Sequence, residues 1–461
     1  MKSKLRLLAL AAVAVLGLAG CGGGGGSGGV PGGGGDQTAQ LTVPPESPVV
    51  SSLERDTDPQ VDEADLQAAV AGNNALAFDL LRASEGNVVL GPTVLTSGLA
   101  RLYAGAGGAT TGELAGSADF FLPSDRLFPA LNALDLDLSE RLGPVGFASS
   151  AGEVAQSGYL YRLSYLEELA RNSGAKPESG GLTSFGDDTR LALSDHISLA
   201  ASWSAPFDPA QVRQETFTLE DGASISAPML DLHGTYPSAQ ADDYFAVELP
   251  FASSELSILF VAPKEGTLAA FDASWNEARL DEIAAALLPT ELALSVPTFT
   301  VDETVPAEEV LRGRGVSGAV SPGSADFSGI DGTRDLYVSG LAASSCFSLS
   351  QGGARAVALF SSALDDAHPE TGSNPVSPGA NVVTSVTLAT PDPPGTGVLA
   401  VGTAAPGSSA ALARPFFFAV RDGRTRVLLF LGRLVDPRGT PVAALTSEIT
   451  GFFRIKYCDG E

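Results

Sequence analysis

The stretch RPFFFAVRDGRTRVLLFLGRLVDP, residues 414–437, carries the strongest fold signal in the chain. It contains two apolar runs of strand length, Phe416–Val420 and Arg426–Phe430, that are rich in aromatic or branched residues. Asp422-Gly423 between them is a dipeptide typical of a tight β-hairpin. The stretch therefore predicts two antiparallel strands in a sheet with one or two covered faces.

Outward from this hairpin, the second half of the chain predicts mainly strands and the first half predicts helices. Runs of strand composition recur before the hairpin at Ile197–Ala201, Ala246–Leu249, Leu256–Val261, Leu292–Val296 and Leu336–Leu341. Apolar residues at helical spacing predict helices over 65–82 and 93–104, on either side of a short strand at 87–90. Helices first and strands later indicate the α+β class rather than repeated βαβ units.

The composition excludes several classes of function. The 461 residues include 27 Lys and Arg against 54 Asp and Glu, a formal net charge of −27, so the chain repels the phosphate backbone of nucleic acids. Three His and three Cys are too few for a structural zinc cluster, and we expect no metal or cofactor, although a carboxylate site for a hard cation stays open. No enzyme is expected, because the histidines show no triad-like spacing with Ser or Asp: His196, His233 and His368.

Residues 1–20 have the form of an export signal. A short basic start precedes an apolar run, 7–18, that is too short to span a bilayer as a stable helix. Leu18-Ala19-Gly20-Cys21 resembles a bacterial lipobox, which implies cleavage before Cys21 and its acylation. The exported chain would then be anchored to the lipid membrane of the cell envelope, at the outer membrane or the cell surface. The alternative is an ordinary signal peptide with an incidental Cys. Residues 21–59, rich in Gly and Pro, are expected to form a flexible tether.

A series of motifs occurs in the order and at the spacing typical of the serpins. The end of the chain resembles their signature PFxF…LFxGRxxxP, here at 415–418 and 429–437. Further matches precede it: Asn87–Pro92, Gly105–Glu113, Trp203–Phe207, Phe217 with Met229, Leu249–Phe251, Pro297–Phe299 and Ala325–Ile330. Each motif alone is modest, but together they cover about Ala64 to Pro437, and on them the chain is identified as a member of the serpin family.

The resemblance implies a serpin fold over residues 60–438, with three β-sheets, a helical N-terminal half and an exposed reactive-centre loop at about 351–413. It also implies a metastable inhibitor, and we expect a monomer. A target protease, serine or alternatively cysteine, cleaves the loop and forms an acyl-enzyme, and the cut loop then inserts into the main sheet as a new strand. Backbone pairing and side-chain burial supply the free energy. Residues 439–461 lie beyond the family's end, as a C-terminal extension.

Ser350–Phe360 resembles the serpin hinge, the part of the loop that inserts first. Gly353 falls on the family's glycine, and the next inward positions need small side chains because the gap is narrow: Ala354, Ala356 and Ala358. Phe360, the following inward residue, departs from this rule. Trp203 matches the tryptophan of the breach, where insertion begins. The alternatives are an Ala-rich loop kept small by chance and an ordinary core tryptophan.

Two further departures concern the surroundings of the hinge. The polar shutter under the mobile sheet corresponds to Gly91, Val94, Asp195 and Ala343, of which only Asp195 is polar. The segment 175–187 is too short for the helix that crosses the front of the sheet in the family. Its loss would either ease insertion or mean that the sheet no longer opens, and the sequence leaves both open.

Counting from the hinge as in the family places the scissile bond near Ala367-His368, with Leu364 as the apolar alternative. Because no Lys or Arg occurs between Arg355 and Arg414, a protease that prefers small or apolar residues is the better match. The loop from Gly353 to Pro415 has 63 residues, far more than the family norm, and much of it is rich in Pro, Gly, Ser and Thr.

Cys346 and Cys458 could form a disulfide outside the cytoplasm, and the alternative is a buried free Cys346 with an exposed tail thiol. Residues 449–455 predict one extra strand near the end of the chain. Two functions compete on these observations: a membrane-tethered protease inhibitor, favoured by the hinge, and a non-inhibitory surface serpin that binds a protein or small ligand, favoured by the lost shutter, the missing helix and the long loop.

Overall fold

The computed structural model describes residues 42–43, 52–156, 158–175, 178–180, 188–205, 212–252, 255–264, 266, 268–305, 307–368 and 408–439. All of them belong to one compact unit, Gln40–Glu461, and the chain's other unit, Met1–Ala39, lies outside them. Among these residues no helix combines the length and the apolar character needed to cross a membrane. The expected signal peptide, Cys21 and the C-terminal extension after Gly439 fall outside the described residues.

The helices concentrate in the first third of the described chain. They are α1 (Glu63–Ala83), α2 (Pro92–Gly105), α3 (Gly108–Ser117), α4 (Ser124–Leu142), α5 (Leu163–Ser173), α6 (Leu268–Ser274), α7 (Glu277–Ala286), α8 (Ala307–Gly313) and α9 (Ser328–Asp331). A short 3-10 helix, Gly143–Val145, follows α4. α2 begins with Pro92, whose missing N–H would have no partner in the first turn anyway. Most of α2 is buried, as its nearly continuous apolar sequence predicts.

The strands occupy most of the remaining described chain. They are β1 (Thr42–Val43), β2 (Val88–Leu90), β3 (Phe147–Gln156), β4 (Tyr161–Arg162), β5 (Glu178–Gly180), β6 (Thr189–Ser202), β7 (Val212–Thr218), β8 (Ser224–Gln240), β9 (Tyr244–Pro250), β10 (Leu256–Pro263), β11 (Leu288–Pro297), β12 (Phe299–Val305), β13 (Leu336–Ser350), β14 (Gly353–Asp366), β15 (Ser408–Ala411), β16 (Phe416–Asp422) and β17 (Leu428–Leu434). The α+β class predicted from the sequence is confirmed.

Nine strands form one sheet around the C-terminal hairpin. Its order is β15-β11-β8-β9-β10-β16-β17-β2, and β7 pairs with β8. Nearly every residue of β10, β16 and β17 is buried, which explains their almost uninterrupted apolar sequences. Asn87 ties the end of the hairpin to the start of β2, because its side-chain oxygen accepts from the backbone N–H groups of Val435 and Asp436. A separate pair, β1 and β4, forms a third small sheet.

Six strands form the second large sheet, in the order β12-β13-β14-β6-β3-β5. β14 is antiparallel to both neighbours and pairs along its whole length, from Gly353 opposite Ser350 and Ser202 to Asp366 opposite Leu336. This corrects the expectation of an exposed reactive-centre loop for residues 353–366, which lie in the middle of the sheet. The physical reason is that the seated β14 pairs its own N–H and C=O groups with both neighbours and buries Phe360 and Leu364, which an exposed loop would not do.

The connection between β5 and β6 is short. Only residues 181–187 and Asp188 separate the two strands, and 181–187 lie outside the described residues. The loss of the family's crossing helix, which the sequence predicts for this segment, stays a prediction because it falls on those residues.

Candidate functional site: the inserted strand and its slot

The side chains of β14 alternate between the two faces of the six-stranded sheet. Ala354, Ala356 and Ala358 lie on the inner face, towards the helices, and each is at most 1% exposed. Arg355 on the outer face is exposed. The structure thus places the three alanines where the hinge comparison expected them to point, and the narrow spacing beneath the sheet gives the reason for their size.

The strand begins at a backbone position that only glycine can occupy. Gly353 has φ of +150°, and a Cβ there would stand 2.0 Å from the carbonyl oxygen of Ala201. Trp203 holds the preceding turn, since its indole Nε1 donates to the Ser350 carbonyl at 2.9 Å. Its ring stacks on Phe251 of the nine-stranded sheet, with centroids 5.0 Å apart. Trp203 is thus a core residue and a direct contact of the hinge at once.

The inner face of β14 packs against two glycines, one just before α2 and one within it. A Cβ at Gly91, which precedes α2, would lie 2.2 Å from the Cβ of Ala358. A Cβ at Gly98 would lie 1.9 Å from the Phe360 ring. The bulky Phe360 therefore fits because Gly98 removes a side chain opposite it, and Phe360 is fully buried. The sequence singled out Gly91 and Phe360 only as departures from the family, and it missed Gly98.

A buried ionic cluster occupies the place of the polar shutter. Asp195 accepts from Ser97 Oγ at 2.7 Å and pairs with Arg101 at 3.0 Å. Arg101 also donates to two backbone carbonyls, Ser194 O and Gly152 O, at 2.9 and 2.8 Å. α2 is thereby bonded to both β3 and β6. Asp195 was the only polar residue that the sequence found at these positions, and the partners on α2 were not anticipated.

Glu153 adds a second carboxylate to the same cluster. Its side chain is fully buried, 4.0 Å from Arg101, and neither of its oxygens has a hydrogen-bond donor. Burial raises the pKa of Glu153 to about 7, and the Arg101 charge only partly opposes this shift. The Arg101 guanidinium is thus near two buried carboxylates, and it is closer to Asp195 than to Glu153.

The far end of β14 contains the candidate reactive bonds. Leu364 is fully buried within the sheet, and Asp366 pairs with Arg190 at 3.3 Å. Ala367 lies immediately past the last residue of the strand, with its N–H donating to the Asp335 carbonyl at 2.7 Å. His368 is exposed, and its imidazole is 3.4 Å from the Asp335 carboxylate. Of the two candidates, the Ala367-His368 bond lies at the end of the inserted strand and Leu364 lies inside it.

The cysteines and histidines are widely separated in the described chain. Cys346 on β13 is disulfide-bonded and 6% exposed, whereas Cys21 and Cys458 lie outside the described residues. His196 is buried, and His233 and His368 are exposed. Within the described ranges no group of three or more His, Cys, Asp or Glu side chains could hold a metal ion.

Known proteins are similar to this chain in sequence. The sequence profile described as Serpin (serine protease inhibitor) matches residues 181–437. An uncharacterized serpin-like protein of Thermococcus kodakarensis is 24% identical over 397 residues, which cover 79% of this chain and 85% of the relative. Serpin A3-2 of Bos taurus is 26% identical over 351 residues, which cover 68% of this chain and 83% of the relative.

Solved structures agree with the fold at low identity. Cleaved Serpin 42Da superposes with a TM-score of 0.66 at 17% identity and covers 81% of this chain and 97% of its own. The thermophilic serpin Tengpin in its latent state superposes with a TM-score of 0.64 at 16% identity, over 83% of this chain and 100% of its own. The fold predicted from the motifs, with its helices and its large sheets, is confirmed.

Proposed function

The chain belongs to the serpin family, whose members are generally protease inhibitors, and we propose that it inhibits a protease by inserting its reactive segment as strand β14. The observation that supports the proposal is the close packing of the inner face of β14. Gly91 and Gly98, which have no side chains, lie opposite Ala358 and Phe360. A segment whose inward residues match cavities on α2 is suited to enter the sheet.

The inward side chains of β14 favour a strand that can leave as well as enter. Its first half carries Ala354, Ala356 and Ala358, whereas the neighbouring β13 places Phe347 and Leu349 on the same face. Withdrawal of three alanines removes little core volume, so the sheet can close over the gap at low cost. The second half carries Phe360 and Leu364, and burying each stabilises the inserted state by about 1.5–3 kcal/mol.

Inhibition would proceed from a state with this segment outside the sheet. The protease's serine attacks the Ala367 carbonyl, the bond to the His368 nitrogen breaks, and His368 leaves as an amine while Ala367 becomes an ester of the protease. Insertion of 14 residues then carries that ester about 46 Å along the sheet, at about 3.3 Å per residue. The target is a serine, or alternatively cysteine, protease that prefers small or apolar residues, and Leu364 is the alternative site of cleavage.

The inserted state is compatible with an uncut chain, because 41 residues, 367–407, connect β14 to β15. The two sheets adjoin at the end where β14 begins, through Trp203 and Phe251, so the connection has to return about the length of β14, ~46 Å. Extended chain of this length reaches up to ~135 Å. Inhibitory capacity would therefore decay as the expelled segment inserts without cleavage.

The decisive experiment exposes freshly refolded chain to elastase-like, subtilisin-like and cysteine proteases. We expect an SDS-stable complex with at least one enzyme, cleavage at Ala367-His368 by mass mapping, and less complex after prolonged incubation before mixing. Cleavage without any stable complex, in fresh and aged samples alike, would contradict inhibition.

A second candidate is a non-inhibitory surface serpin that binds a protein or small ligand. The observation that favours it is that β14 is already fully inserted in an uncut chain. Cleavage could then release no further free energy of insertion to trap a protease. Failure of every protease in the panel, together with a melting temperature of the freshly refolded chain that is unchanged by cleavage after residue 368, would select this candidate.

The location proposed for either function is the cell envelope, with Cys21 acylated and the chain monomeric, exported and held at the outer membrane or cell surface. Membrane fractions from cells that express the full chain should contain it, and Cys21→Ser should release it into the soluble fraction. Equal membrane association of both forms would contradict lipid anchoring at Cys21.

A further inference from the structure

The outer face of the six-stranded sheet carries a covered patch. Asp302, Cys346, Val357 and Ser198 lie directly opposite one another on β12, β13, β14 and β6 and therefore share one face. Asp195 next to His196 bonds to α2 on the inner face, so His196 points outward with this row. We name Cys346, Val357 and His196 the outer patch.

The outer patch is buried, whereas residues on one flank of it on the same face are exposed. Cys346 is 6% exposed, and Val357 and His196 are each 9% exposed. Arg355 on the same face is exposed, as is Ser150, the residue opposite His196. The helices α2 and α4 bond to the opposite, inner face of this sheet, through Ser97 and Ser139. The buried area continues from the outer patch along β14 and β6, where Ser361, Ala363 and Ala192 of the same face are 5%, 3% and 5% exposed.

The described chain ends at β12, the edge strand of this sheet. A Cβ at Gly439 would lie 3.1 Å from the Thr300 carbonyl oxygen on β12. Thr300 is opposite Ser348, which is two residues from Cys346 on β13. Cys458 lies 19 residues beyond Gly439, a reach of up to ~60 Å in extended form, whereas adjacent strands are only about 4.8 Å apart. The span from Gly439 to Cys458 is therefore long enough to reach Cys346.

The composition of the last residues suits contact with Val357 and Asp302 on this face. Residues 452–457, Phe-Phe-Arg-Ile-Lys-Tyr, combine large apolar side chains with two positive charges in a chain of net charge −27. Val357 offers an apolar contact, and Asp302 stands directly opposite Cys346. Cys346 is oxidised, and Cys458 is the cysteine that belongs to this segment.

We propose that residues 440–461 dock on the outer patch, anchored by a disulfide between Cys346 and Cys458, and cover the part of the sheet where β14 meets β13 and β6. The covalent link forms by loss of two thiol protons and two electrons to an oxidant, the thiol–disulfide oxidants of the exported environment. The extension then acts as a clamp on the seated strand, whether or not the protein inhibits proteases.

The chain's three histidines provide the test, because diethyl pyrocarbonate acylates accessible imidazoles. In the oxidised full-length protein we expect fast modification of the exposed His233 and His368 and protection of His196. In a chain that ends at Gly439, His196 should react at least tenfold faster, with His233 and His368 unchanged as internal controls. Equal protection of His196 in both chains, or equal reactivity in both, would overturn the proposal.

Non-reducing peptide mapping of the full chain gives an independent readout that does not require the shortened chain to fold. A single cross-linked pair of peptides containing Cys346 and Cys458 supports the proposal. A link from Cys346 to Cys21, or a link between two chains, overturns it. Cys458→Ser in the full chain should raise His196 reactivity, and Cys21→Ser, the matched control, should leave it unchanged.

Discussion

Phe360 and Gly98 form a matched pair across the space between β14 and α2. Phenylalanine at an inward position of a narrow slot is unfavourable by itself, and glycine inside a buried helix is unfavourable by itself. Together they fill the same volume once, since the ring occupies the space that a side chain at position 98 would need. Two locally unfavourable residues thus stabilise one inserted arrangement.

Gly98→Ala should destabilise the inserted state. Its methyl group would overlap the Phe360 ring, and overpacking of this kind costs about 1–3 kcal/mol. The free energy of unfolding in a denaturant titration measures the loss. Gly116→Ala is the matched control, because a Cβ there meets no atom within 4 Å, and it should be neutral or stabilising. Equal stability of Gly98→Ala and the wild type would contradict the packing described.

Glu153 makes stability depend on pH in the opposite direction to an ordinary ion pair. The carboxyl titrates near 4.5 in the unfolded chain and near 7 in the folded chain, so between these values the folded chain binds more protons. The free energy of unfolding should therefore fall as pH rises from 4.5 to 7 on account of this group. Glu153→Gln should remove that part of the slope and stabilise the protein at pH 8 by on the order of 1–3 kcal/mol.

The control for this titration is Glu309→Gln, which neutralises an exposed carboxyl on α8. Melting curves of the three proteins from pH 4.5 to 8 give the comparison. A Glu153→Gln profile parallel to that of the wild type would mean that Glu153 does not titrate in this range.

At the scale of the element, β14 differs from its neighbours in how its side chains are distributed along its length. Small residues occupy the end that Trp203 and Gly353 hold, and large ones occupy the other end. Entry from the Trp203 end therefore meets little steric resistance at first and gains most burial at the finish. This gradient suits a strand that inserts progressively from one end.

Ala356→Glu should block insertion, whereas Arg355→Glu should not. Ala356 lies on the inner face at 1% exposure, where an unpaired carboxylate costs several kcal/mol, and Arg355 is exposed. Hydrogen exchange of residues 353–366 should rise strongly in Ala356→Glu alone. With a target protease, Ala356→Glu should be cleaved without a stable complex. Equal protection of the segment in both variants would show that the inner-face assignment is wrong.

At the scale of the whole molecule, the long connection between β14 and β15 uncouples insertion from cleavage. Because 41 residues bridge the two strands, β15 can stay paired with β11 while β14 is fully seated. The strands that flank the connection then need no rearrangement when it is cut. The uncut chain can thus hold β14 fully inserted, whereas a shorter connection would permit this only after cleavage.

A cut after residue 368 should consequently leave the melting temperature of the aged protein within a few degrees of the uncut value. The seated strand already has its hydrogen bonds and buried side chains, so cleavage adds none. Calorimetry before and after limited proteolysis measures this, with freshly refolded protein as the comparison. A large rise in the aged sample would mean that its reactive segment was still outside the sheet.

Local sequence determined much of this protein. The predicted hairpin corresponds to β16 and β17, and the predicted helices correspond to α1 and α2. The alternation of residues alone predicted that the three alanines of β14 point inward. These features depend on residues within a few positions of one another, because strand and helix periodicity are properties of the local backbone. The order of the family's motifs then sufficed to identify the fold.

Only the tertiary structure decided that residues 353–366 lie in the sheet of an uncut chain. It also decided the partners of the slot, Gly98 with Phe360 and Arg101 with Asp195 and Glu153. Arg101 and Asp195 are 94 positions apart, and Gly98 and Phe360 are 262 apart. No local pattern records such pairs, since their energies arise from contact in a packed interior that exists only when distant segments meet.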